Sequence, residues 1–165
     1  MNYAQWREKY VDGVEKDNMQ SGVNNTFKNE TGNNKDVQIV GRIDRSKFEK
    51  ISKDIRTDEV VLTDERKRHI NIDKAHPNSY DKYGKFIFEI VANPDRILKD
   101  RDPEMAILLK KVDGNYFRLI LWLATKNTDV KYKNSVITFF KIDLKEWKRY
   151  RKNAQTLYIG QDDEV

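Results

Sequence analysis

Apolar and polar residues alternate along several short stretches of the chain, and this alternation is typical of β-strands with one buried face. Between them lie segments whose apolar residues recur at helical spacing, and the longest covers residues 79–92. Asp113-Gly114-Asn115 separates two apolar stretches and predicts a tight hairpin. The predicted strands are residues 37–43, 59–62, 96–99, 105–112, 116–125, 135–142 and 156–159.

Residues that favour helix N-termini stand at three positions, Asp44, Thr63 and Asp143. Because the helices come mainly before the longer strands, the order of elements predicts an α+β fold. The helix after Asp44 carries Phe48, Ile51 and Ile55, the helix after Thr63 carries His69 and stops before Pro77, and the helix after Asp143 carries Trp147 and Tyr150.

Composition divides the chain into three regions. Within residues 1–36 the sequence predicts a short amphipathic helix at 2–11 and a flexible linker at 17–36. The linker segment is rich in Asn, Gly, Ser and Thr. The linker holds too few large apolar residues to offset the entropy of ordering it. The sequence predicts that residues 37–161 form the folded domain and that residues 162–165 form an acidic tail.

Charge is unevenly distributed along the 165 residues, whose formal net charge is +5. Residues 39–161 hold 27 basic and 18 acidic residues, a net charge of +9. This excess suits a polyanionic partner, although a lysine-rich solvated surface gives the same count. There is no Cys, which excludes disulfides and cysteine-rich zinc sites. No apolar stretch predicts a membrane span, and the N-terminus does not have the pattern of a secretory signal.

Two histidines, His69 and His76, are the candidate proton carriers, because an imidazole exchanges protons near neutral pH. On one continuous helix they would share a face about 10.5 Å apart. That separation is too long for both to bind one metal ion, but it suits two roles on a phosphodiester. The alternatives are a surface or capping histidine at His69 and a helix-ending histidine at His76.

Cationic and small polar residues in the second half are candidates for holding phosphate oxygens. Each also has a simpler interpretation: strand-end exposure for lysine, an internal carboxylate partner for arginine, and a loop–strand junction for the polar residues. The basic loop mixes charge with an aromatic ring, as nucleic-acid binders do. The candidates are Lys110, Arg118, Asn134, Ser135 and Thr138, with Lys131, Tyr132 and Lys133 as candidate nucleic-acid contacts.

From about Val40 to Tyr158 the chain resembles the phage barnase–EndoU–colicin–RelE-like nuclease domains. The residues that carry the resemblance are Val40-Gly41-Arg42-Ile43-Asp44, Thr57 to Arg66, His69-Ile70, His76-Pro77, Asn93 to Leu98, Leu108-Leu109-Lys110 and Tyr132 to Thr138. The resemblance implies an α+β fold of barnase/RelE type, with helices packed on a four- to five-stranded antiparallel sheet. It also implies cleavage of RNA without a metal or another cofactor.

The resemblance further assigns a role to each candidate. His69 acts as acid or base, and His76 is a second proton carrier or a scaffold residue. Lys110 and Arg118 are the cations that hold phosphate oxygens. The oxyanion contacts are Asn134, Ser135 and Thr138.

The leading expectation is therefore an endoribonuclease of phage or mobile-element origin, which acts as a toxin in the cytoplasm of a bacterial host. Its expected partner is RNA. The alternative is a nuclease-fold binding module with weak catalysis, either a phage accessory or structural protein or an inhibitor of a host defence complex that binds nucleic acid. For that module the expected partner is a protein: an antitoxin, a phage head protein or the defence complex. No membrane partner is expected.

Overall fold

The structure, a computed structural model, describes residues 37–160 of the chain. From Gln38 onward these residues belong to one structural unit. The predicted helix at residues 2–11, the linker at 17–36 and the tail at 162–165 lie outside the described residues.

Strands and short helices alternate in the first half, and a long hairpin leads the second half. No helix within residues 37–160 is both long and apolar enough to cross a membrane. The elements in chain order are β1 (Val37–Arg42), a 3₁₀ turn (Arg45–Phe48), β2 (Glu59–Thr63), α1 (Asp64–Ile72), α2 (Ser79–Tyr83), a second 3₁₀ turn (Gly84–Phe86), α3 (Ile87–Ala92), β3 (Arg96–Lys99), β4 (Met105–Val112), β5 (Asn115–Trp122), β6 (Asn134–Ile142), α4 (Leu144–Asn153) and β7 (Thr156–Ile159).

The described strands form one seven-stranded sheet in the order β1-β2-β6-β5-β4-β3-β7. The α+β class is confirmed. Five strands, β6-β5-β4-β3-β7, pair antiparallel as expected, but the whole sheet has seven strands and is mixed, because β2 and β6 run parallel. The low strand number came from the family resemblance. All seven segments predicted from the apolar pattern are strands, and the short β1, β2 and β7 extend the sheet beyond β3–β6.

The two faces of the sheet are covered differently. Phe117 and Phe139 point toward a core shared with the helices α1 and α3, which contribute Ile70 and Ile90. Residues that alternate with them point the other way, and there Tyr116 contacts Trp147 of α4. Helix α4 therefore packs on the face opposite to α1 and α3.

Local turn and cap chemistry follows the sequence prediction. The Thr63 hydroxyl accepts the Arg66 backbone N–H at 3.1 Å, the Asp143 carboxylate accepts the Glu146 N–H at 2.7 Å, and the Asp44 carboxylate accepts the Ser46 N–H at 3.0 Å, so all three predicted N-caps are confirmed. The residues at 113 and 114 have φ of 51° and 79°, which are the positive values that a two-residue hairpin between β4 and β5 requires.

Three predicted helices are shorter than their patterns indicate. The helix after Asp44 is a single 3₁₀ turn, and the segment 79–92 breaks at Gly84, where a Cβ would lie 2.9 Å from the Tyr80 ring. Helix α1 ends at Ile72, because the Asp73 carboxylate accepts backbone N–H groups ahead of it and replaces the next helical turn. His69 and His76 therefore do not lie on one helix.

Candidate active site

Strand β6 is paired on the side of β2 along only part of its length. β2 pairs with its first two residues, Asn134 and Ser135. Farther along, helix α1 lies against β6, and Arg66 Nε donates to the Ile137 carbonyl oxygen at 2.9 Å. The loop that follows α1 is thereby brought to the second half of β6.

His76 lies in this loop, and its imidazole stacks on the Phe140 ring of β6. The ring centroids are 3.9 Å apart and the planes differ by 13°. His76 Nδ1 lies 3.5 Å from Asp73 Oδ1, and the His76 backbone N–H donates to the same oxygen at 3.0 Å. A carboxylate beside Nδ1 favours the tautomer that carries its proton there, which leaves Nε2 to accept a proton from another molecule.

Arg118 of β5 lies on the other side of the same ring. Its guanidinium carbon is 4.1 Å from the Phe140 centroid, and since the imidazole fills one face, the guanidinium fills the opposite one. Arg118 Nη1 donates a hydrogen bond to the Tyr150 hydroxyl of α4. Within residues 37–160 the guanidinium makes this one hydrogen bond. Because a neutral phenol does not balance the charge, the remaining Nη donors suit an anion supplied by a ligand.

A cavity of about 340 Å³ opens beside His76. This volume lies in the range of small-ligand sites. Two lysines and two acids supply its charged lining, namely Lys82, Lys141, Asp143 and Glu146. One oxygen of Asp143 is occupied as the N-cap of α4. Both lysines are exposed and form no ion pair within the described part of the chain, so they are cations available to a phosphate.

His69 is on helix α1 and is separate from this cavity. It follows Arg66 by three residues, so it lies on the side of the helix that faces β6. Its Nε2 is 3.9 Å from Glu65 Oε1, and its side chain is 31% exposed. The structure therefore places the two histidines on two different elements, His69 on α1 and His76 in the loop that follows it.

Lys110 lies on the opposite face of the sheet from Arg118. The register pairs Lys110 with Phe117, whereas Arg118 is paired with Leu109. Lys110 Nζ lies 3.0 Å from Asp95 Oδ1, and these two side chains are only 6% and 8% exposed. The structure does not bring the two predicted phosphate-binding cations together, and Lys110 is engaged in a buried ion pair.

Asn134 is completely buried at the start of β6. Its Oδ1 accepts the Ala124 N–H at 2.8 Å, and its Nδ2 donates to the Thr57 carbonyl oxygen at 2.7 Å. The side-chain amide thus ties together three segments of backbone, and the geometry gives it a role within the fold.

The two hydroxyl residues of β6 occupy different environments. Ser135 is buried, and its hydroxyl donates to the Lys133 carbonyl oxygen at 3.3 Å. Thr138 is partly exposed and lies two residues before Phe140, on the face that carries Arg118. Of the two, Thr138 is the one that shares a face with the stacked rings.

The predicted nucleic-acid loop is largely engaged with its own protein. Lys133 Nζ lies 2.9 Å from Glu59 Oε1, and Lys131 Nζ lies 3.9 Å from Asp129 Oδ2. Tyr132 is 3% exposed. A buried ring does not stack on a base, and carboxylates already balance both lysines, so the loop offers little to an RNA strand.

Sequence reasoning missed five residues of this site: Asp73, Lys82, Phe140, Lys141 and Tyr150. Strand alternation carried the signal for one of them, because Phe140 shares the face of Thr138. The other four lie in the loop after α1, on α2, on β6 and on α4, and only long-range packing brings these elements together, which no local pattern indicates.

Two carboxyl groups outside this cluster have lowered pKa values. Hydrogen bonds from the Ser46 hydroxyl and backbone N–H, at 2.6 Å and 3.0 Å, hold the pKa of Asp44 below its ordinary value. For Asp58, burial raises the pKa, but hydrogen bonds from its own N–H and from Arg42 together lower it by more than burial raises it. Both groups belong to the β1–β2 connection and not to the stacked rings.

Comparison with known proteins supplies a family. The family described as phage-Barnase-EndoU-ColicinE5/D-RelE like nuclease2 matches residues 27–158, which is more than half of the chain. No curated protein and no solved structure matches the chain. The resemblance inferred from the sequence is confirmed.

Proposed function

We propose that this chain, which belongs to the phage-Barnase-EndoU-ColicinE5/D-RelE like nuclease2 family, is an endoribonuclease that works without a metal ion. The observation that carries the proposal is the stack of His76, Phe140 and Arg118, in which the His76 imidazole also lines an open cavity. It holds a proton carrier and an uncompensated cation in fixed positions, and these are the two groups that phosphodiester transfer needs.

In the proposed reaction the ribose 2′-oxygen attacks the adjacent phosphorus. A base removes the 2′-hydroxyl proton as the new O–P bond forms, and an acid gives a proton to the 5′-oxygen as its bond to phosphorus breaks. The products are a 2′,3′-cyclic phosphate and a 5′-hydroxyl, so atoms and protons balance without water, metal or redox cofactor.

We assign His76 as one proton carrier, with Asp73 as the residue that orients it. His69, on the helix whose Arg66 contacts β6, is the second carrier. Arg118 holds a phosphate oxygen, and the Thr138 hydroxyl, on the same face, donates to another. The cavity lysines contact the flanking phosphates.

The experiment compares cleavage of a diribonucleotide in EDTA by the wild type and by two variants. His76→Phe keeps a flat ring on Phe140 but removes both ring nitrogens, and Trp147→Phe is a control within the packed side of α4. We expect His76→Phe to lower kcat about 10²–10⁴-fold, the usual contribution of general acid–base catalysis. The thermal melting temperature of this variant should match that of the wild type, because the stacking is retained.

Other outcomes are informative. His69→Gln should also lower kcat if the second carrier is assigned correctly. Cleavage that stops in EDTA contradicts metal independence. RNA that stays intact but is retained in a salt-sensitive way contradicts catalysis, and favours the alternative of a nuclease-fold binding module.

We further propose the RNA of a bacterial host cell as the target, since the family description names phage proteins. Expression of the wild type in bacteria should then arrest growth and fragment cellular RNA, whereas expression of His76→Phe at the same level should not. Equal growth arrest by both would contradict an RNA-directed toxin.

A further inference from the structure

Helix α4 has one apolar face and one strongly basic face. Trp147 and Tyr150 point toward the sheet, where they contact Tyr116 and Arg118. The ten residues of the helix, LKEWKRYRKN, hold five basic residues and one acid. The apolar face accounts for the packing of the helix, but packing does not explain the composition of the opposite face.

The basic residues of the outer face form a single row. Positions 145, 148, 149 and 152 fall within an arc of about 100° on a helix with 3.6 residues per turn. Lys145, Lys148 and Lys152 are exposed and form no ion pair among the described residues. Arg149 lies 3.5 Å from Glu146, in a pair whose arginine is 60% exposed and therefore weakly bound.

This basic row continues directly from the candidate site. The cavity beside His76 is lined by Asp143, the N-cap of α4, by Glu146 in its first turn, and by Lys141 just before the helix. A strand of RNA that leaves the cavity along α4 would meet the row within one helical turn.

We propose that the outer face of α4, formed by Lys145, Lys148, Arg149 and Lys152, binds the phosphates of single-stranded RNA that flank the cleavage point. The proposal rests on the ribonuclease function proposed above, and it names the surface that holds the substrate outside the cavity. A lysine without a carboxylate partner binds a phosphate without first breaking an ion pair. The predicted loop at 131–133 does not have this advantage, because both of its lysines are paired.

The partner is a nucleic acid and not an acidic protein, because the row offers charge with almost no apolar surface of its own. Protein interfaces have a more apolar, aromatic centre. Phosphate binding needs only cations at regular intervals, and it releases counterions from the nucleic acid.

The test measures how the affinity for a single-stranded oligodeoxyuridine depends on salt. This probe has no 2′-hydroxyl, so the proposed reaction cannot consume it. The triple variant Lys145→Gln/Lys148→Gln/Lys152→Gln removes three phosphate contacts. Its slope of log K against log salt should be smaller by about 2, since each contact with a single strand contributes about 0.7.

Two matched variants separate the position of the charges from their number. Lys50→Gln/Lys53→Gln/Lys85→Gln removes three exposed lysines that lie outside α4 and should leave the slope unchanged. Lys145→Arg/Lys148→Arg/Lys152→Arg keeps the charge on the row and should also leave it unchanged.

Each possible result supports or overturns the proposal. An unchanged slope in the first triple variant overturns it, and so does an equal loss in the first and second variants. Binding of poly-glutamate through the row without binding of oligodeoxyuridine also overturns it, in favour of an acidic protein. Diribonucleotide cleavage should survive the loss of the row, because this substrate is too short to reach it. Failure of that cleavage in the wild type therefore contradicts the proposed function and not the phosphate-binding row.

Discussion

The ion pair of Lys110 and Asp95 separates a structural role from a catalytic one. If Lys110 held a phosphate, its replacement would remove activity and leave the fold intact. In the structure both side chains are almost inaccessible, and their charged atoms are 3.0 Å apart. Asp95 Oδ2 also accepts the Lys111 N–H at 2.9 Å, so the carboxylate is fixed on two sides.

Lys110→Met leaves the Asp95 carboxylate buried without its cation. Breaking a buried pair in this way costs about 3–5 kcal/mol, which is a large part of the 5–15 kcal/mol that stabilises a typical domain. Urea unfolding, followed by tryptophan fluorescence, should show the loss as a lower midpoint at an unchanged slope. At a temperature where the variant stays folded, its diribonucleotide cleavage should equal that of the wild type.

The double variant Lys110→Met/Asp95→Asn is the matched control. It removes both charges and keeps a side-chain oxygen that accepts the Lys111 N–H, so it should recover at least half of the lost stability. A loss below about 1 kcal/mol in Lys110→Met, together with lost cleavage, would refute the structural assignment and return Lys110 to the active site.

Three further predictions test the account of the fold. Asn134→Ala should cost about 2–4 kcal/mol in urea unfolding, because it leaves a buried backbone N–H and a backbone carbonyl without partners; a cost below about 0.5 kcal/mol would contradict this. Gly41→Ala places a Cβ 2.4 Å from Cγ2 of the buried, stiff Val91 and should cost about 1–3 kcal/mol, and a variant as stable as the wild type would show that α3 shifts freely. Ser46→Ala should raise the carboxyl pKa of Asp44 in an NMR titration, because the Ser46 hydroxyl lowers that pKa. Asp44 stabilises the fold above its unfolded pKa, and this effect is lost as pH falls through its folded pKa, so the variant should show a smaller effect. An unchanged pKa would contradict the assignment.

Much of the fold was predictable because its signals are local. The pattern of apolar residues identified seven strands. The N-caps Thr63 and Asp143 and the hairpin at Asp113 depend on the chemistry of adjacent residues. The parallel pairing of β2 and β6 was not predictable in this way, because it joins segments more than 70 residues apart.

The candidate site was predictable only in part, for the same reason. The resemblance grouped Lys110 and Arg118 as phosphate-binding cations, but the strand register places them on opposite faces of the sheet, and Lys110 pairs with a carboxylate that no local pattern indicates. The sequence around Asn134 is the same whether its side-chain amide contacts a ligand or the backbone, so sequence alone does not distinguish these two roles. The stack on Phe140 arises where a loop, a strand and a helix meet, so only three-dimensional packing reveals it.

The most direct measurement of the central claim uses a DNA oligonucleotide that contains a single ribonucleotide, incubated with the protein in EDTA. The proposed chemistry predicts one cut, on the 3′ side of that ribonucleotide, which leaves a 2′,3′-cyclic phosphate and a 5′-hydroxyl. With His76→Phe this cut should form about 10²–10⁴-fold more slowly. Cleavage at deoxyribose positions, or equal cleavage by the variant, would contradict attack by a 2′-hydroxyl assisted by the imidazole at the edge of β6.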